Sequence, residues 1–119
     1  MPIESRRQSR LARKRRPIDA ASFERALLIA GVTPTTARFL WEGLKPFYRH
    51  PLTPMPEDRL ESVIIIDRPE IEGLVGRFWT AMRGQDFRPQ VAPLGDDPSV
   101  VELGRYCDLL AGWSIRGRA

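Results

Sequence analysis

The sequence has few of the residues on which common protein chemistries depend. Its 119 residues include one cysteine, Cys107, and one histidine, His50. A single thiol excludes an intrachain disulfide and a zinc site built from several thiolates, and it favours a reducing, cytoplasmic location. His50 precedes Pro51 in a proline-rich segment, with no serine or cysteine nucleophile at an interpretable spacing. We therefore predict a protein that is not an enzyme and that uses no cofactor.

Long apolar runs and glycine-rich loops are also missing. No segment approaches the roughly 18 consecutive apolar residues that a membrane-spanning helix needs, and none resembles a secretory signal. No phosphate-binding glycine loop is present. The acidic residues between positions 58 and 72 lack a nearby histidine or a metal-binding loop, so they are interpreted as helix caps and solvated surface. We predict no membrane span and no metal site.

Positive charge is concentrated at the N-terminus. The chain carries a net charge of +4, but residues 1–17, which we call the basic arm, carry +6 from seven basic residues against Glu4, so the remainder sums to −2. The seven are Arg6, Arg7, Arg10, Arg13, Lys14, Arg15 and Arg16. The arm has no apolar periodicity, so we expect it to be disordered alone or ordered by a partner. Such a density of cations favours a polyanion, either nucleic acid or an acidic protein surface, over a tail that only aids solubility.

Residues 18–119 predict one all-α domain. A hydrophobic content of 42% is typical of a folded protein, and the length suits a single modest core. The first helix is expected over 20–30, with Asp19 as N-cap and Gly31 beyond its end. The second is expected to begin after Thr33 and to reach residue 45 or 48.

Two further helices open with capping boxes. Asp67 and Glu70 predict the start of a third helix that ends at Gly84, and Ser99 and Glu102 predict the start of a fourth that ends at Gly112. The apolar run 60–66 is too short for a helix. It could form a strand, but no partner strand is evident, so we predict a loop held against the core. The linker before the fourth helix has room for one short turn.

The order and spacing of these elements over residues 34–112 resemble an acyl carrier protein domain. In that family an Asp-Ser-Leu sequence opens the second helix, and its serine receives phosphopantetheine. Here Asp67 matches the aspartate, whereas Arg68 replaces the serine and has no hydroxyl to modify. The closing helix matches at Ser99, Val100, Leu103 and Tyr106. The resemblance implies a small four-helix bundle of acyl-carrier-like topology that docks a protein without carrying cargo, with Arg68, Glu70 and Glu72 as docking residues.

Residues 26–41 are similar to a helix-turn-helix. This arrangement would place Thr35, Thr36 and Arg38 at the start of a recognition helix, where side chains reach base edges. The aromatic residues of the same helix count against its lying in a groove, and an ordinary αα-hairpin explains the pattern as well.

The sequence therefore predicts a binding or assembly protein that anchors through the basic arm and docks a protein partner through its helices. The alternatives are a helix-turn-helix DNA-binding regulator and an atypical acyl carrier protein modified at another serine. Ser62, five residues before Asp67, is the nearest candidate for such a serine.

Overall fold

The computed structural model describes residues 17–84 and 91–112, which form four α-helices, two short 3-10 helices and no β-strand. The α-helices are α1 (Ala20–Ile29), α2 (Pro34–Leu44), α3 (Arg68–Arg83) and α4 (Val100–Ala111), and the 3-10 helices span Lys45–Phe47 and Ala92–Leu94. The predicted all-α class is confirmed for these residues. The basic arm, apart from Pro17, lies outside them.

The helix ends follow the local signals in the sequence. Asp19 caps α1 by accepting a hydrogen bond from the Ser22 N–H at 2.8 Å. Both predicted capping boxes are present, at the starts of α3 and α4. Gly84 and Gly112 end these two helices in the left-handed conformation that glycine adopts without a steric penalty. The capping boxes therefore predicted where both helices begin.

α2 ends earlier than its longest predicted extent. The α-helical hydrogen bonding stops at Leu44, and Lys45–Phe47 continue as one 3-10 turn. Pro46 has no N–H to donate to the preceding turn, and this explains the change. The short turn expected in the linker is also present, at Ala92–Leu94.

The segment 60–66 is a loop held against the core, as predicted. Leu60, Ile64 and Ile66 are at most 3% exposed, and the Ile66 N–H donates to the Leu60 carbonyl at 2.8 Å. The Leu60 N–H donates to the Pro98 carbonyl at 2.9 Å, which joins the loop to the chain just before α4. Apolar burial and these backbone bonds replace the partner strand that the sequence does not supply.

α2 contacts each of the other three α-helices. It touches α1, where the rings of Phe23 and Trp41 lie 5.3 Å apart, and it touches α3, where Phe39 and Phe78 make an edge-to-face pair at 5.3 Å. α4 contacts both α2 and α3. Within the described residues, no helix combines the length and apolar character needed to cross a bilayer.

α4 approaches the start of α2 very closely at Gly104. A Cβ at this position would lie 3.0 Å from both methyl groups of Val32 and 3.3 Å from Leu40 Cδ1. Gly104 is buried and has ordinary helical backbone angles, so it is the absent side chain that allows this approach.

Candidate functional site

The described residues and the basic arm carry opposite charge. Residues 17–84 and 91–112 contain nine Lys and Arg and thirteen Asp and Glu, a net charge of −4 at pH 7. Four of these cations pair with carboxylates: Arg38 with Glu24, Lys45 with Glu42, Arg59 with Glu102 and Arg68 with Glu61. The seven predicted polyanion-binding residues, Arg6 to Arg16, lie outside the described part of the chain. Among the described residues, negative charge therefore exceeds positive charge.

The residues predicted to read DNA do not share one exposed surface. Thr35 is exposed, but Thr36 has no exposed surface and its hydroxyl lies 2.6 Å from Asp108 Oδ1. Arg38 donates to both carboxylate oxygens of Glu24, at 2.8 and 3.4 Å. The hydrogen bond and the charge of Glu24 raise the pKa of Arg38. Thr36 is thus a core residue in this structure, which corrects its assignment as a base-reading residue.

The aromatic side chains of the same region do not stand out into solvent. Trp41 is 9% exposed, and Phe39, Phe47 and Tyr48 are half-buried against the core. The objection that α2 exposes too much aromatic surface to lie in a groove is therefore removed. What counts against the helix-turn-helix hypothesis is the burial of Thr36.

Asp108 is a buried polar centre that the sequence reasoning missed. It is 3% exposed; its Oδ2 accepts from the Thr33 N–H at 2.9 Å, and its Oδ1 accepts from the hydroxyls of Thr33 at 2.7 Å and Thr36 at 2.6 Å. A residue of α4 therefore supplies the cap for α2. A signal was available, because an acidic residue in the last turn of a helix opposes the helix dipole and needs another reason to be there.

Cys107, beside Asp108, is inert. It is fully buried, and burial, with a smaller contribution from Asp108, raises the pKa of the thiol to about 12. The thiolate is the nucleophilic form, so this cysteine stays unreactive at neutral pH.

Arg68 makes internal contacts rather than standing free at the head of α3. Its guanidinium donates to the carbonyl of Val91 at 3.1 Å and to that of Gly95, and it lies 3.4 Å from Glu61. The side chain is 31% exposed. Arg68 thus connects the start of α3 both to the loop before that helix, at Glu61, and to the segment after it, at Val91 and Gly95.

Glu70 and Glu72, the other two predicted docking residues, are both exposed. Glu70 also closes the capping box by accepting from the Asp67 N–H at 3.2 Å. The exposed part of the predicted docking set is therefore acidic.

Ser62, the alternative attachment serine, is also engaged. Its hydroxyl donates to Asp97 Oδ2 at 2.5 Å, and Asp97 Oδ1 accepts from the N–H groups of Glu61 and Ser62 at 3.0 Å each. Partial burial tends to raise the pKa of Asp97, but the hydrogen bonds from Ser62 and Glu61 outweigh it and leave this pKa lowered. Asp97 has a φ of 48°, so the loop is shaped around these bonds.

A cleft of about 230 Å³ opens between α1 and α2. Ala20, Ala37 and Trp41 form its apolar part, and charged side chains add the remainder. These are Glu24, Arg38 and Glu42. No pattern in the sequence predicted a cleft between these two helices. In the described ranges, no group of three or more His, Cys, Asp and Glu side chains is arranged to hold a metal ion.

Comparison with known proteins finds no matching family model, no significantly similar curated protein and no significantly similar solved structure. The acyl-carrier and helix-turn-helix resemblances therefore stay predictions, and the functional argument depends on charge and contacts.

Proposed function

We propose that the chain is a non-enzymatic binding or assembly protein that attaches to a polyanion, foremost nucleic acid, through its basic arm and presents its helices to a protein partner. The observation that carries the proposal is the separation of charge. Residues 1–17 carry +6, whereas residues 18–119 sum to −2. Attraction to a polyanion is therefore assigned to one end of the chain.

The physical basis is the release of counterions from the polyanion. Each phosphate neutralised by Lys or Arg releases condensed cations, so the affinity falls steeply with salt. A body of net negative charge adds repulsion, which discourages the helices from lying flat on the same polyanion. Such a protein binds the polyanion with its arm and leaves its helices available for other contacts.

For the folded part we propose the carrier-like bundle that the resemblance implies. Its support is the order of the helices, the long connection between α2 and α3, and the capping box at Asp67. Arg68 offers no hydroxyl for phosphopantetheine and is occupied internally, so the proposed role is docking without cargo. The proposed docking surface is the start of α3, where Glu70 and Glu72 are exposed.

A salt series with matched variants tests the arm. Binding to random-sequence single-stranded RNA is measured for the triple variant Arg13→Gln, Arg15→Gln, Arg16→Gln and for the control Arg25→Gln, Arg49→Gln, Arg77→Gln. Each removes three positive charges. Only the arm variant is expected to flatten the plot of log affinity against log salt, by about 2, since each phosphate contact with a single strand contributes roughly 0.7 to the slope. Equal flattening by both variants would contradict the proposal.

Two outcomes would redirect the function. Enrichment of one duplex from a random-sequence DNA pool would favour a helix-turn-helix regulator. A gain in mass after incubation with a phosphopantetheinyl transferase and coenzyme A would favour an atypical carrier, and replacing Ser62 with Ala would show whether that serine accepts the group.

A further inference from the structure

The cleft between α1 and α2 lies where the basic arm joins the helices. Ala20 lines the cleft, and the arm ends at Pro17, three residues earlier. Ile18 is fixed between them, because its N–H donates to Thr53 Oγ1 at 2.9 Å and its carbonyl accepts from the same hydroxyl at 2.9 Å. The point from which the arm leaves the folded part is thus held near the mouth of the cleft.

The nearest cations of the arm can reach the cleft. Residues 13–16 carry four successive basic side chains and lie within seven residues of Ala20. An extended chain spans about 3.3–3.6 Å per residue, so seven residues cover up to about 25 Å. The cleft itself holds only about 230 Å³, room for one or two side chains rather than for the whole arm.

The side chains of the cleft already hold cations of the folded part. Glu24 binds Arg38, and Lys45 lies with its Nζ 6.0 Å from the Trp41 ring centroid and 3.9 Å from Glu42. Glu42 remains 74% exposed, and its separation from Lys45 exceeds a hydrogen-bond distance, so its oxygens can accept further donors. An apolar floor beneath carboxylates suits an arginine, whose stem packs on apolar surface while its guanidinium binds an anion.

We propose that the basic arm docks in cis on the α1–α2 cleft, so that the cleft competes with the polyanion for the arm. The charge of +6 on the arm against −2 on residues 18–119 favours this contact. A short tether holds the arm at an effective concentration on the order of millimolar, so weak contacts are enough to populate the docked state. The docking of the arm does not depend on the proposed function, whereas the competition between the cleft and the polyanion rests on it.

Binding measurements test the competition. The double variant Glu24→Gln, Glu42→Gln is compared with Glu57→Gln, Asp96→Asn, which also loses two negative charges, at exposed residues that do not line the cleft. At low salt the cleft variant is expected to bind random-sequence single-stranded RNA about fivefold more tightly than the wild type, the effect of releasing an arm that is docked about four fifths of the time. The control is expected to change affinity less than twofold.

Deleting residues 1–16 separates this effect from the release of Arg38. In the deleted chain the cleft variant is expected to have no advantage over its parent, because no arm is left to release. A gain that survives the deletion, or an equal gain in the Glu57→Gln, Asp96→Asn control, would overturn the competition.

A spin label observes the docking directly. A nitroxide is attached at Ser9→Cys in a Cys107→Ala background, and backbone amide signals of residues 20–24 and 37–42 are recorded by NMR. At low salt these signals are expected to broaden more than those of residues 71–78. The broadening should decrease in about 0.5 M salt, where exposed charges are screened, and in the Glu24→Gln, Glu42→Gln variant.

The outcomes distinguish the two proposals. Broadening that does not change with salt or with the cleft substitutions would overturn the docking. Equal broadening in nitroxide-free chains that are mixed with nitroxide-labelled chains would also overturn it, because such a contact is in trans. Conversely, RNA affinity that does not depend on the arm would overturn the proposed function, even if the cleft signals broaden as expected.

Discussion

The starts of α2 and α3 are built in two different ways. α3 is capped within its own sequence, since Asp67 and Glu70 satisfy each other's backbone N–H groups three residues apart. At α2 the side chain of the N-cap residue Thr33 makes no capping bond to the backbone of its own helix, and the partner of its N–H is Asp108, 75 residues away along the chain. One start is a local property of the sequence, and the other exists only when α4 is packed in place.

The two caps also differ in burial, since the cap of α3 is exposed and the cap of α2 is buried. Asp67 and Glu70 are exposed, so water can replace a lost hydrogen bond there. Asp108 and Thr36 are at most 3% exposed and Thr33 is half-buried, so water has poor access to donors that lose this partner. Substitutions in the cap of α2 should therefore lower the free energy of unfolding more than substitutions in the cap of α3.

The largest effect is expected from Asp108→Ala. Removing the carboxyl group leaves the Thr33 N–H and two threonine hydroxyls without their main acceptor, which should lower the free energy of unfolding by about 3 kcal/mol. Asp108→Asn keeps one acceptor oxygen and should cost about half as much. Urea unfolding measures both, and a loss as small as that of the exposed control Asp96→Ala would contradict the account of α2.

The next largest effect is expected from Gly104→Ala, which should lower the free energy of unfolding by about 1–3 kcal/mol. The added methyl group would lie 3.0 Å from the methyl groups of Val32 and push α4 away from the start of α2. A double-mutant cycle identifies the cause. In a Val32→Ala background the same substitution should cost less, and an unchanged cost would show that the overlap with Val32 is not responsible.

Asp67→Ala and Ser99→Ala should each lower the free energy of unfolding by about 1 kcal/mol, the usual value for the loss of an N-cap. Amide hydrogen exchange should show the loss of protection confined to the first turn of the affected helix. If Asp67→Ala lowered stability as much as Asp108→Ala, the distinction between local and distant caps would fail.

The smallest effect concerns pH. The pKa of Glu102 is lowered chiefly by the hydrogen bond from the Ser99 N–H, with smaller contributions from the Ser99 side chain and Arg59. Its contribution to stability is complete above the usual value of 4.5 and is lost as the pH falls through the lowered value. Because the side chain is half exposed, this contribution should stay below about 1 kcal/mol. Glu102→Gln should therefore narrow the difference in unfolding free energy between pH 7 and pH 3, and an unchanged difference would contradict this assignment.

The sequence predicted the features that depend on neighbouring residues and missed those that depend on residues far apart along the chain. Asp67, Gly84, Ser99 and Gly112 act within a few residues of the helix ends they determine, so those ends were predicted correctly. Thr36 looked like an exposed helical residue because its partner, Asp108, lies in a different helix.

The internal contacts of Arg68, which we predicted to be a docking residue, could not be read from the sequence for a similar reason. Its partners are backbone carbonyls of Val91 and Gly95. Carbonyl groups occur at every residue, so no side-chain pattern marks the ones that a guanidinium will bind.

The distance along the chain between Thr33 and Asp108 also has a consequence in time. At a synthesis rate of about 5–20 residues per second, Asp108 leaves the ribosome roughly 4–15 s after Thr33. During that interval the first turn of α2 has water in place of its cap, whereas Asp67 meets Glu70 within about a second of translation. A nascent chain of this protein therefore completes the start of its third helix before that of its second.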